Sequence, residues 1–363
     1  LTTIVEGIPA GLKLSADQIT CDLQRRQLGY GRGERMRIED DRAIITSGIW
    51  CGNTIGSPIT VQINNRDWEN WKDQKFRKRL APRPGHADLV GYLKYDLDDI
   101  QMVIERASAR ETAARVAAGS IARQYLDRFK IRVYSHTRQI GSARNEKPLK
   151  LSAAKWREIE SSSVRCADKA AGAAMLKGID EAIAHMDTLG GVAEVVVTGV
   201  PLGLGSYAQW DRRTDARLAA AVMSAPSVKA VEIGVGIDGA CKSGSAVHDA
   251  IRFDNSSGFV SDSNNAGGII GGVSTGQEIV IRAYFKPLST LGNPLDSVNL
   301  LSKQRTKAPY VRSDTCIVPA GGVVCEGVVA LVLADLMSEK FGGDSMREAL
   351  SNYQSYLSHV RAR

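Results

Sequence analysis

The 363-residue chain has no uninterrupted apolar run of about 18 residues, the length a helix needs to cross a bilayer; candidates such as Val328 to Leu333 are far too short. No membrane partner is expected. Cysteine is sparse: Cys21, Cys51, Cys166, Cys241, Cys316 and Cys325 never take CxxC spacing, and none has a second soft ligand close by in sequence. That argues against a zinc site or a disulfide framework and for free thiols in a reducing compartment. Leu1 to Leu14 lacks the charged, apolar and cleavage regions of a signal peptide, so a cytoplasmic location is expected. No segment of about 20–50 residues repeats, which argues against a solenoid or a propeller. No GxGxxG fingerprint follows a strand pattern, and no long Pro/Ser linker divides the chain. One continuous domain over residues 1–363 is therefore expected, its weakest join near Asn145 to Leu149.

What is present is ordinary for a folded chain: 43% apolar and 24% charged residues, with a net charge of +7. A basic excess suits nucleic acid or polyanionic small molecules equally, so its distribution must decide. Ser15-Ala16-Asp17-Gln18 has capping-box spacing and predicts a helix over Ala16 to Arg26. Glu34 to Glu39 and Ala43 to Ile49 read as a β-hairpin, and the alanine-rich Glu105 to Phe129 as one long helix. Glu194 to Val197, Val228 to Ile233 and Glu278 to Phe285 read as strands, and the helical patterns Val328 to Phe341 and Ser345 to His359 close the chain. The irregular alternation predicts a layered α/β or α+β architecture.

Several segments carry chemistry. Arg25 to Met36 places arginines in a glycine-alternating loop, where bare backbone and guanidinium forks can meet a phosphate or carboxylate; a basic loop on RNA has the same composition. Arg83-Pro84-Gly85-His86-Ala87-Asp88 sets a histidine in a turn between an arginine and an aspartate, suited to proton chemistry or to a structural pair with Asp88. Glu105 to Thr112 offers a small-residue helix entrance for a phosphate, assisted by Arg106 and Arg110, and also suits surface salt bridging. Asn264 to Gly272 is a glycine cluster that lets backbone lie against a planar or anionic ligand, or that simply makes tight turns. Lys286-Pro287-Leu288-Ser289-Thr290 follows a strand with an ammonium and two hydroxyls. Arg312-Ser313-Asp314 precedes an apolar run ending in Glu326, which would place Asp314 at the start of a strand.

In this order and at these separations, Arg26 to Arg37, Arg83 to Asp88, Glu105 to Gly119, Asn264 to Gly272, Lys286 to Thr290 and Arg312 to Glu326 resemble the chorismate synthase family. The resemblance runs from Ile4 to Gly11 at one end to Glu339 to Asp344 at the other. It implies an α+β fold of β-α-β-α sandwich type and a carbon–oxygen lyase. The reaction is an anti-1,4-elimination of phosphate from 5-enolpyruvylshikimate 3-phosphate to give chorismate, the last common step of the shikimate pathway to aromatic compounds. Reduced FMN serves as cofactor and lends an electron transiently. The family also implies a homotetramer, and leaves open whether NADPH reduces the bound flavin or a separate flavin reductase supplies it. No metal and no nucleic acid are implied.

Carried over by position, Arg106, Ala107, Ser108, Pro226, Ser227, Gly271, Lys286, Pro287, Leu288, Ser289, Thr290 and Arg312 match flavin-contacting positions. Arg26 and Arg32 match substrate arginines, which also serve NADPH where that cofactor is used. His86 matches a histidine that protonates or stabilises the reduced flavin near N1. Asp314 matches an aspartate that works with flavin N5 in removing the ring proton.

Three departures stand out. The family opens with a Gly-Glu-Ser-His-Gly segment whose histidine helps the phosphate depart, and this chain starts beyond it, as a trimmed beginning would. Trp68 to Pro82 is shorter than the family's loop, with residues expected between Asp73 and Gln74. Pro226-Ser227 replaces the usual polar residue and alanine, removing a backbone donor at a flavin contact. Two rivals remain: a flavin- or nucleotide-binding enzyme that kept the scaffold and lost the elimination, and a basic nucleic-acid module, which predicts aromatics among the arginines and steep salt dependence.

Overall fold

The computed structural model describes residues 1–33, 40–70, 72, 78–149, 151–255, 258–310 and 314–363. Its central element is the 24-residue helix Val318–Phe341. By length and a mean hydropathy of 1.9 it would suit a bilayer, but 83% of its most apolar window is buried inside the fold. A helix apolar on every side is what a core enclosed on every side requires. It packs against the helices Thr112–Asp127 and Thr214–Met223 and against a five-stranded sheet.

Small residues set how closely these layers approach. A Cβ on Gly119 would stand 2.3 Å from Gly327 Cα, so the helices Thr112–Asp127 and Val318–Phe341 cross with backbones touching. On the opposite side Gly322 faces Ser135 and Ala193 of the sheet. That sheet runs, in spatial order, Val228–Ile233, Ile279–Phe285, Gly191–Thr198, Arg132–Ile140 and Ala143–Arg144, every neighbour antiparallel. Ile281, Ala283, Val195, Val197 and Val133 give it a core face.

Beyond that sheet lie the helices Ala153–Ser161 and Lys169–Ala184, the first set by Trp156 packing edge-on to Tyr134 at 4.6 Å between ring centroids. Beyond the helix layer on the core side, Thr2–Val5, Ile59–Ile63 and Ala43–Ile45 form a three-stranded sheet against Thr112–Asp127. The result is a mixed α+β fold layered sheet, helices, sheet, helices.

The N-terminal helix forms over Ala16–Gln27 with the Ser15 hydroxyl accepting the Gln18 N–H at 3.2 Å, and Met346–Arg361 carries a full capping box between Ser345 and Glu348. The three predicted strands appear as Gly191–Thr198, Val228–Ile233 and Ile279–Phe285. Three expectations are corrected. Glu105 to Phe129 is not one helix: Ile100–Arg106 ends, a single 3-10 turn covers Ala109–Glu111, and Thr112–Asp127 follows. Ser108 causes the break, for its backbone is extended (ψ 133) and its hydroxyl accepts the Arg110 N–H at 3.3 Å in place of a helical carbonyl.

Asp314 also opens no strand. The helix expected from Val328 begins at Val318 instead, with Pro319 in its first turn, where a missing N–H costs nothing and a fixed φ assists. The half-hairpin Glu34 to Glu39, part of the Asp73–Gln74 loop, and Arg312 lie outside the described residues; Ala43–Ile45 pairs with Ile59–Ile63.

Candidate active site

The break at Ala107 and Ser108, the turn around His86, the strand end Lys286 to Thr290 and the first turns of the central helix enclose a cavity of about 470 Å³. Ile104, Phe285, Ile317, Ala320 and Val324 supply an apolar lining. Into it converge Arg26, Arg32, Arg83, Arg110, Lys286, His86 and Asp314. This combination, apolar walls with a few convergent polar groups, is what a small-molecule site requires.

Each arginine is held by an aspartate. Arg26, in the last turn of its helix, and Arg110, in the 3-10 turn, both donate to Asp41 Oδ2, at 2.8 and 2.7 Å. Arg26 also donates to Thr112 Oγ1 at 3.3 Å. Arg32 pairs with Asp314 at 2.9 Å, and the Gly33 N–H donates to the other Asp314 oxygen at 2.6 Å. Arg83 grips Asp88 with two side-chain bonds, at 2.8 and 3.0 Å, and its backbone N–H donates to the same carboxylate at 3.0 Å. Among the described residues, five cations thus meet three carboxylates around one cavity, an excess that attracts a polyanion. Asp314 is the one carboxylate among the described lining residues.

The Arg83–Asp88 fork fixes the turn that presents His86. Gly85 sits at φ +76, and a Cβ there would lie 2.7 Å from Ser289 Oγ, so the turn closes on the Lys286 segment only with glycine at this position. Lys286 Nζ and Ser289 Oγ both donate to the Gly85 carbonyl, at 3.1 and 3.0 Å. His86 Nε2 shares a 2.9 Å hydrogen bond with the hydroxyl of the buried Thr290. The cavity leaves His86 accessible, yet the surrounding protein displaces enough water to push its pKa down to about 4, with Arg83 and Lys286 adding to the effect and Asp88 opposing it. The ring is therefore neutral near pH 7. Burial, and then Lys229, lower the pKa of Lys286 as well.

Behind the wall, Arg25, Arg123 and Arg165 converge on Glu326, which is fully buried in the central helix. Burial alone would raise this carboxyl; the three arginines outweigh it and hold the pKa at about 2. The network ties the helix that carries Arg26 to the helix that lines the cavity.

Of the positions singled out in the sequence, Arg26, Arg32, His86, Ala107, Ser108, Pro226, Ser227, Lys286, Leu288, Ser289, Thr290 and Asp314 line this cavity. Three described positions do not. Arg106 is exposed at the end of its helix, Pro287 is exposed, and Gly271 sits in the exposed turn between Ile269–Ile270 and Val273–Thr275. The break at Ser108 explains the first: it turns Arg110, the other arginine of the expected entrance, onto the wall. Arg106→Ala should accordingly leave FMN affinity within about twofold, as surface substitutions do, in a fluorescence titration; a tenfold loss would put Arg106 in the site. The sequence reading placed Arg83 and Arg110 only as neighbours of the candidate residues and missed the central-helix residues Ala320, Gly321 and Val324. With Ile317 they recur at one-turn spacing after Asp314, a signal hidden by reading that run as a strand.

A family model described as chorismate synthase matches residues 1–338. The chorismate synthase of Geobacter sulfurreducens is 50% identical over 380 residues, covering 100% of this chain and 96% of its own length. That of Desulforudis audaxviator is 51% identical over 372 residues, covering 100% and 95%. A crystal structure of chorismate synthase superposes with a TM-score of 0.82 at 38% identity, covering 100% of this chain and 95% of that one. With the layered fold and the cationic, partly apolar cavity, these likenesses settle the assignment: the chain belongs to the chorismate synthase family.

Proposed function

We propose that this cavity is where the chain carries out the activity of its family, the conversion of 5-enolpyruvylshikimate 3-phosphate to chorismate by anti-1,4-elimination of phosphate. The observation that carries the reading is the convergence of a neutral histidine, a carboxylate and four arginines on one apolar-walled cavity. A substrate with a phosphate and two carboxylates needs several cations. An elimination that also removes a ring proton needs a proton acceptor beside them.

The family uses reduced FMN, and the residues present fit it. A planar, largely apolar ring matches Phe285, Ile104, Ile317 and Val324, and an anionic tail matches the donors Ser108, Lys286, Ser289 and Thr290. Ala107, Pro226, Ser227 and Leu288 complete the cofactor wall in this reading. When bound, the reduced flavin supplies an electron that assists departure of the phosphate and is returned, so the net reaction is redox-neutral.

The chain's own residues do the rest. Arg26, Arg32, Arg83 and Arg110 bind and orient the anionic groups of the substrate, and fixed guanidinium forks stabilise the departing phosphate without reorganising. Asp314 receives the ring proton, its two oxygens aligned by Arg32 and the Gly33 N–H. His86, held neutral, offers a hydrogen bond to developing negative charge without adding a cation. The apolar lining excludes water, which strengthens all of these interactions. NADPH as the reductant and assembly into a homotetramer are further parts of this proposal and rest on the family resemblance.

The test is anaerobic phosphate release from 5-enolpyruvylshikimate 3-phosphate by the purified protein with chemically reduced FMN, beside a control with oxidised FMN. Release with reduced flavin alone is expected. A protein that binds FMN and releases no phosphate would favour the reading in which the scaffold was kept and the elimination lost.

A further inference from the structure

We propose that Asp41 is a positioning residue for substrate binding: its carboxylate locks Arg26 and Arg110 side by side so that the pair grips one anionic group of the substrate. The inference rests on the reading of the cavity given above.

Three remote segments meet here. Arg26 comes from the last turn of Ala16–Gln27, Arg110 from the turn Ala109–Glu111, and Asp41 from the stretch preceding the strand Ala43–Ile45. Both arginines line the cavity; Asp41, 1% exposed, lies behind them and does not. One oxygen, Oδ2, accepts from both, at 2.8 Å from Arg26 and 2.7 Å from Arg110. Each guanidinium has a second anchor, Thr112 Oγ1 for Arg26 and the Asn64 carbonyl for Arg110.

Two guanidiniums at this spacing repel, and in a water-poor wall the repulsion is only weakly screened. A carboxylate between them removes the repulsion, fixes both fork planes and leaves the trio with one net positive charge. That is the arrangement a single phosphate or carboxylate can bridge with paired hydrogen bonds. Burial by itself would raise the Asp41 carboxyl, but Arg110, then Arg26, draw its pKa below the ordinary carboxylate value, so the clamp stays charged at neutral pH. A purely structural salt bridge would be indifferent to what occupies the cavity. A positioning residue reveals itself in substrate affinity.

The experiment compares wild type, Asp41→Asn, Arg110→Gln and the double variant by steady-state kinetics at saturating reduced FMN, with FMN affinity measured separately by fluorescence. Asp41→Asn should raise KM for 5-enolpyruvylshikimate 3-phosphate about tenfold, the scale of one charge-assisted hydrogen bond. It should lower kcat less than about threefold and leave the FMN Kd within about twofold. The double variant should lose less than the sum of the two single losses, because part of the effect of Asp41 runs through Arg110. An unchanged KM, additive losses in the double variant, or a loss confined to FMN affinity, which would assign the pair to the flavin phosphate, would each overturn the proposal. Should Asp41→Asn fail to fold, Asp41→Glu keeps the charge and displaces it by one methylene; a raised KM supports the proposal and a wild-type KM overturns it. An inactive wild type would instead sink the functional reading itself.

Discussion

His86→Ala lowers kcat for chorismate formation about a hundredfold, the lower end of what a positioned acid–base group contributes, while Tm, KM and FMN affinity stay near wild type. The fold has little to lose. The ring is accessible, its hydrogen bond runs to the Thr290 hydroxyl, and the turn is held independently by the Arg83–Asp88 fork and by two donors on the Gly85 carbonyl. The pH dependence sharpens the test. With its pKa pushed down to about 4, the folded imidazole is neutral from pH 6 to 8, so wild-type kcat shows no limb from His86 there and loses this contribution only as pH falls toward about 4. The unfolded chain, with an ordinary value near 6.5, takes up the proton first. Folded stability therefore falls between about 6.5 and about 4, and His86→Ala removes that slope. Rates measured from pH 5 to 8 and thermal melts over the same range check both statements. A variant turning over at the wild-type rate would take His86 out of the chemistry.

The elements most legible in the sequence were those whose information is local. The Ser15 cap, the closing helix from Ser345 and the strand Val228–Ile233 each follow from a few neighbouring residues. What failed depended on distant partners. Alanine-rich Glu105 to Phe129 reads as unbroken helix because propensity favours it throughout, and only Ser108 bonding Arg110 marks the break. The glycine-containing run before Glu326 read as the start of a strand; it is helix, and Gly321, Gly322 and Gly119 are glycine because Phe285, Ser135 and Gly327 lie too close for a Cβ. The site shows the same division. Arg26, His86, Lys286 and Asp314 stood in recognisable segments, whereas Asp41 carries no motif and matters only because two arginines 15 and 69 residues away converge on one of its oxygens.

Asp314→Ala should cost at least about a hundredfold in kcat, but that variant alone confounds two roles. The carboxylate is the proposed proton acceptor, and it is also a latch: one oxygen takes the Gly33 N–H at 2.6 Å and the other pairs with Arg32 at 2.9 Å. The same loop is fastened by the Thr315 N–H on the Gly31 carbonyl at 2.7 Å and by the Tyr30 N–H on the Ser163 carbonyl at 2.8 Å. Alanine removes base and latch together, frees Arg32 from its carboxylate, and should raise KM as well as lower kcat. Asp314→Asn separates the two. The amide oxygen can still accept the Gly33 N–H, so the loop, the Tm and the FMN affinity should stay close to wild type, while a neutral amide cannot take up a proton and its NH2 cannot accept from Arg32, so KM rises as it does with alanine. A kcat loss of about a hundredfold with the Tm unchanged, and KM raised no further than in Asp314→Ala, is then the signature of a base. If the asparagine variant instead turns over within about threefold of wild type, Asp314 only fastens the Gly31 to Gly33 loop, and the ring proton must leave to another group.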